Sequence, residues 1–219
     1  MLIRFLMNLT LECTNSEKNY MTQLTFKKIT MPSANLGELN CLPDIHNNTY
    51  IRAPITLTDN VSEDERKHIG KGLISTLLPY QIQDQYDRTR QIKEFDAAIL
   101  ENEYLKATFF SQLGGRLWSL YNKKENRELL YNNNVFQPCN LALRNAWFCG
   151  GVEWNMGIKG HNPLTCSPLF ALKATNKDGD PVLKMYEYER KREIVYTICA
   201  TLKKDTLLVN VTIENTSDK

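Results

Sequence analysis

Between Pro138 and Pro168 the chain reads PCNLALRNAWFCGGVEWNMGIKGHNPLTCSP, and side chains with chemical reach crowd into it. Glu153 and His161 bring a carboxylate and an imidazole into one short stretch. Such a pair can pass protons as base and acid at neutral pH once a pocket tunes them, which makes these two the candidate catalytic residues. Arg144, Asn140, Asn145 and Asn155 add directional hydrogen-bonding groups, and Trp147 and Trp154 add flat apolar faces. Aromatic, amide and guanidinium groups together form the mixture that a hydroxyl-rich ring requires. The expected ligand is therefore a carbohydrate, with Arg144, Asn145, Trp147, Trp154 and Asn155 as its binding residues. The competing reading is structural: polar residues in irregular loops commonly satisfy buried backbone groups, and tryptophans in β proteins commonly fill the core.

Other chemistries are excluded or unsupported. Gly150-Gly151 sits among these residues, but neither G-x-x-x-x-G-K-[ST] nor G-x-G-x-x-G occurs and no helix is predicted to follow, so nucleotide binding is dismissed. His46 stands alone and no H-x-H or H-E-x-x-H spacing exists, so neither a transition metal nor another cofactor is expected. With 27 Lys and Arg against 25 Asp and Glu, the net charge of +2 gives no field to draw nucleic acid or an anionic membrane. The six cysteines, Cys13, Cys41, Cys139, Cys149, Cys166 and Cys199, include no C-x-x-C pair and read as reduced thiols, which points to a cytoplasmic home.

The elements that must position the site read as strands. Leu24–Ile29, Leu73–Leu78, Phe95–Leu100, Tyr104–Phe110, Arg116–Asn122 and Glu128–Tyr131 are short apolar runs bounded by turn residues. Gly114-Gly115 can take the positive φ of a tight hairpin turn, and Asp178-Gly179 gives a second hairpin signal between LFALKAT and VLKMYEYER. REIVYTICATL and TLLVNVTIEN, separated by KKD, complete a meander in which Ile194, Tyr196 and Ile198 alternate with Val195, Thr197 and Cys199. Trp118 alternates cleanly within RLWSLY and is assigned to the core. Ser62 stands three residues before Glu65 as a capping box, so one short helix is predicted there, on the surface, and His68 has no functional role. Strands at this spacing predict an all-β sandwich or barrel, and 42% hydrophobic residues in 219 suffice for a sizeable core.

The two ends stand apart. The opening MLIRFLMNLTLECT is interrupted by Asn8 and Glu12 and lacks a small-x-small cleavage site, so it is not read as an export signal. Residues 1–22 are taken as a disordered or extraneous extension, Met21 offering a cleaner start, and 23–219 as the folded portion. At the other end the chain stops just after a well-formed strand, with nothing following to cover that strand's free edge.

Two motifs carry a resemblance. LENEYLKATFFSQLGGRLWSLYNKKENRELLY, containing L-G-G-R-L, followed by NLALRNAWFCGGVEWNMGIKGHNP, containing G-G-x-E-x-N, resembles a bacterial domain of unknown function in the galactose mutarotase-like superfamily, over roughly Leu78 to Asn215. That domain is often found ahead of tetratricopeptide repeats. The resemblance implies a β-supersandwich binding carbohydrate in a cleft on its concave sheet. It gives His161 a place in the sugar site by its position after the Gly-Gly loop, with Arg144 and Glu153 presented by the same loop. It also implies that this chain is an N-terminal portion. The carboxylate base of mutarotases belongs to a later part of the domain, and a C-terminal half or repeat region is missing. The functional expectation is thus a carbohydrate-active protein working at a sugar's anomeric centre, as an epimerase or glycoside hydrolase. The alternative is a non-catalytic carbohydrate-binding domain or an inactive truncated fragment.

Overall fold

The computed structural model describes residues 2–9, 21–42, 56–69, 76–141, 143–156 and 161–217. Two five-stranded antiparallel sheets face each other, and the expected all-β sandwich is what the chain forms. One sheet is a meander of β2 (Gln23–Ser33), β3 (Gln91–Glu101), β4 (Leu105–Phe110), β5 (Arg116–Asn122) and the two-residue β6 (Arg127–Glu128). The other runs from β7 (Phe170–Thr175) through β8 (Pro181–Glu189) and β9 (Ile194–Lys203) to β10 (Thr206–Asn215). Beyond β10 lies β1 (Leu2–Leu9), drawn from the segment expected to be disordered or extraneous. It pairs from Leu2 opposite Glu214 to Leu9 opposite Leu207, along the edge of β10 that the sequence leaves bare.

Both hairpins form where their turn chemistry demands. Gly114 and Gly115 take φ of 67° and 68° between β4 and β5, and Gly179 takes φ of 87° between β7 and β8. The short helix α1 (Glu63–Arg66) carries the expected capping box of Ser62 and Glu65, and no residue of it is buried. Two expected strands differ. Residues 73–75 and His46 lie outside the described residues, and Thr76–Leu78 run into a turn at Pro79, which has no N–H to give a ladder. Of Glu128–Tyr131 only Glu128 belongs to a strand, because Asn132 reaches back to the Glu128 carboxylate at 3.2 Å and turns the chain away. No helix among the described residues is long and apolar enough to cross a membrane.

The meander with β1 follows the period-two rule: Ile194, Tyr196, Ile198, Ala200 and Leu202 of β9 are buried while the residues between them are half-buried. The other meander does not, since β4 and β5 bury side chains on both faces. One face joins Leu100, Leu105, Ala107 and Phe109 to Leu183, Met185, Ile198 and Val209 of the opposite sheet in the main core. Its other face carries a second core, covered by the irregular segment that follows β6. There Phe95, Phe110, Trp118, Phe148 and Phe136 form a closed circuit of rings, with successive centroids 5.0 to 5.8 Å apart. Trp118 is a core residue as expected, but in the second core and on a strand that buries both of its faces. This second core fixes the irregular segment against β5, and the candidate site is built at that seam.

Candidate functional site

Arg116 opens β5 immediately after the first double glycine, and its side chain is 3% exposed. Its Nη1 donates to the Gly150 carbonyl at 3.1 Å and its Nη2 to Thr165 Oγ1 at 3.0 Å. The guanidinium carbon lies 4.0 Å from the centre of the Phe148 ring. Burial holds this guanidinium below the ordinary arginine range, and the Glu153 carboxylate acts in the opposite sense.

The second double glycine brings that carboxylate in. Gly151 has φ of 61°, and a Cβ there would overlap the Leu117 carbonyl oxygen, so only glycine lets the chain lie this close to β5. Val152 N–H then donates to Leu117 O at 2.8 Å, an isolated antiparallel bridge beside Arg116. One residue further on, Glu153 turns inward with its side chain 11% exposed. Trp147 Nε1 donates to Glu153 Oε2 at 2.6 Å, and Arg116 Nη2 stands 3.9 Å from the same oxygen. His161 Nδ1 lies 3.2 Å from Oε1, and the histidine ring sits edge-on to Trp147 at 6.5 Å. Trp147 is itself pinned by a two-bond bridge to Cys139, and His161 takes a φ of 46°, a left-handed conformation that histidine visits more readily than bulkier residues.

Three side chains, from β5 and from the irregular segment, therefore meet at the Glu153 carboxylate. A carboxylate can only accept, so His161 Nδ1 is the donor of this pair. His161 is more open than Arg116 or Glu153, with 32% of its side chain exposed. The arrangement can take a proton from a hydroxyl and return it, or hold a hydroxyl without chemistry.

Glu153, His161 and Trp147 are brought together; the other expected residues are distributed differently. Trp154 packs against the main core and spends its indole N–H on Gly115 O at 2.7 Å, tying the site loop to the first double glycine. Asn145 is half-buried with φ of 59°, and Asn140 and Asn155 are exposed. None of the three donates to the Glu153 corner among the described residues. Arg144, expected beside Glu153, is elsewhere. Its Nε donates to Gln81 O at 2.8 Å and its Nη1 to Pro163 O and Ser167 Oγ at 3.3 and 3.2 Å. Buried guanidinium groups take whatever carbonyls lie within reach, and these fix Arg144 in the wall of a separate cavity of about 580 Å³ that neither Glu153 nor His161 lines.

Arg116 is the site residue that sequence reasoning passed over. Coming directly after the turn glycines, it reads in the sequence as a turn residue, whereas its side chain is buried. Among the described residues no group of three or more His, Cys, Asp or Glu is arranged to hold a metal. Cys41, Cys139, Cys149, Cys166 and Cys199 are free thiols.

Two antiparallel sheets, one of them capped on its outer face by an irregular aromatic segment, define an all-β sandwich protein with its candidate site under the cap. The chain belongs to a domain family of unknown function, DUF5107, whose match covers residues 73–213 and so includes Arg116, Trp147, Glu153 and His161. Among solved structures, a TPR-domain containing protein from Parabacteroides distasonis is similar at a TM-score of 0.65 with 19% identity over 88% of this chain. This chain spans 29% of that protein's length. Both findings agree with the domain of unknown function anticipated from the two sequence motifs.

Proposed function

We propose that the Glu153 corner is a saccharide-binding site, in a carbohydrate-active protein of the mutarotase-like type. The observation that carries this reading is the Glu153 carboxylate, almost withdrawn from water, held by Trp147 and facing His161 Nδ1 at 3.2 Å. A preorganised acceptor and an imidazole whose outer nitrogen makes no hydrogen bond among the described residues suit a sugar hydroxyl, and the neighbouring indole supplies an apolar face for the ring. At an anomeric centre the imidazole would take the hydroxyl proton as the ring C–O bond breaks, with solvent water donating a proton to the ring oxygen and being restored by the imidazolium.

A binding-only role is the second reading, favoured because both Glu153 oxygens are already engaged within the protein. Two NMR experiments on the chain separate the readings. Saturation transfer from protein to a panel of free aldoses and oligosaccharides reports binding, and exchange between α and β anomers reports turnover. Accelerated exchange in the wild type, lost in His161→Ala, supports chemistry. Saturation transfer without acceleration supports binding alone, and neither signal for any sugar refutes both.

A further inference from the structure

The cavity that holds Arg144 has a chemistry of its own. Its polar lining includes Tyr80, Gln83, Arg144, Ser167, Glu187 and Arg190. The guanidinium carbons of Arg144 and Arg190 lie 5.4 and 4.7 Å from the centre of the same Tyr80 ring, and the Tyr80 hydroxyl accepts the Arg190 backbone N–H at 2.8 Å. Two positive charges are thus gathered on one phenol. Neither has a carboxylate within salt-bridge distance among the described residues; the buried Glu189, whose charge reaches the Tyr80 phenol, is held by Lys191 N, Arg192 N and Arg192 Nη1. Arg144 uses Nε and Nη1 on Gln81, Pro163 and Ser167, and no hydrogen bond among the described residues uses its Nη2. Burial, together with the charge of Arg190, holds the Arg144 guanidinium below the ordinary arginine range. An arrangement that costs free energy when empty gains it back when an anion enters.

We propose that this cavity binds the oxyanion of a small ligand, a carboxylate or a phosphate, through Arg144 Nη2 and the Arg190 guanidinium, with Gln83 and Ser167 beside them. Arg144 is anchored on backbone carbonyls and gives direction, while the exposed Arg190 closes over the ligand from the rim. Glu187 also lines the cavity, its Oε1 fixed by Tyr188 N at 2.8 Å, and weakens the field there by one negative charge. The site goes beyond the saccharide reading and stands whether or not the Glu153 corner binds sugar.

Calorimetric or NMR titration with inorganic phosphate, glucuronate and, as neutral control, glucose tests it. Binding of phosphate alone assigns a phosphate ligand, of glucuronate alone a carboxylate, and of both an oxyanion site of either source. Arg190→Gln, at an exposed side chain that leaves the fold intact, is expected to weaken the bound anion by about tenfold or more, the loss of one charged hydrogen-bonding partner. Glu187→Gln is expected to tighten it several-fold, and Glu153→Gln to leave it unchanged. Absence of binding by either anion at tens of millimolar, or anion affinity unaltered by both Arg190→Gln and Glu187→Gln, overturns the proposal.

Discussion

Replacing Arg116 by Met tests the architecture under the site. The substitution keeps an unbranched apolar stem against Phe148 and removes the charge, together with the donors to Gly150 O and Thr165 Oγ1. Each of those charged hydrogen bonds is worth about 1.5–3 kcal/mol, and the guanidinium over a buried ring about 2 kcal/mol. Against them stands the cost of keeping a guanidinium out of water, several kcal/mol, which the variant no longer bears. What remains is the penalty for stranding Glu153, whose Oε2 loses the positive charge 3.9 Å away. Breaking one partner out of a buried pair costs about 3–5 kcal/mol, so a net loss near 3 kcal/mol is expected. With a urea m-value of ~2 kcal/mol/M the midpoint falls by ~1.5 M at unchanged slope. Glu153→Gln should partly rescue Arg116→Met, because a neutral amide still accepts from Trp147 and no longer needs the cation. The coupling in the double-mutant cycle is therefore expected to exceed ~1 kcal/mol. A midpoint for Arg116→Met within error of the wild type, or additivity of the two substitutions to within ~0.5 kcal/mol, would show that no buried charge pair holds the corner together.

Three further outcomes follow from the same geometry. Gly151→Ala puts a methyl into the Leu117 carbonyl at a left-handed backbone position and is expected to cost at least ~2 kcal/mol, read as a lowered melting temperature, whereas Gly179→Ala, with open space around it, should cost only the backbone strain. Burial pushes the Cys166 thiol up to about 12, so under native conditions near pH 8 iodoacetamide should label the exposed Cys41 and Cys149 and leave Cys166 untouched until the protein is unfolded, as mass spectrometry would read. Burial likewise raises the Tyr80 phenol from 10.0 to about 12. A raised folded value means its contribution to stability is complete below pH 10 and is lost as pH climbs toward 12, so the stability of Tyr80→Phe should fall less than the wild type's over that window.

Local chemistry was legible in the sequence and long-range meeting was not. Gly114-Gly115, Asp178-Gly179 and the Ser62-Glu65 box each form what they predict because the controlling interaction lies within a few residues. Alternation in Ile194–Leu202 was equally plain, since one face of that sheet is buried and period two survives. It fails in β4 and β5, where both faces are covered, and an arginine at the head of β5 then looks like an ordinary turn residue. The separation of Arg144 from Glu153 was invisible for a related reason. Nine residues of irregular chain carry no periodicity, and what decides the matter is a pair of isolated bridges, Leu117 to Val152 and Cys139 to Trp147, between positions whose partners no local pattern announces.

We propose that the carboxylate of Glu153 and its indole and imidazole neighbours receive a saccharide. A glycan array probed in parallel with the wild-type chain and with Glu153→Gln, Trp147→Ala and His161→Ala variants of equal thermal stability decides whether they do. The expected result is a defined set of glycans retained by the wild type and weakened about tenfold or more in all three variants. Retention of the same glycans by all three variants, or no retention by the wild type at all, would contradict it.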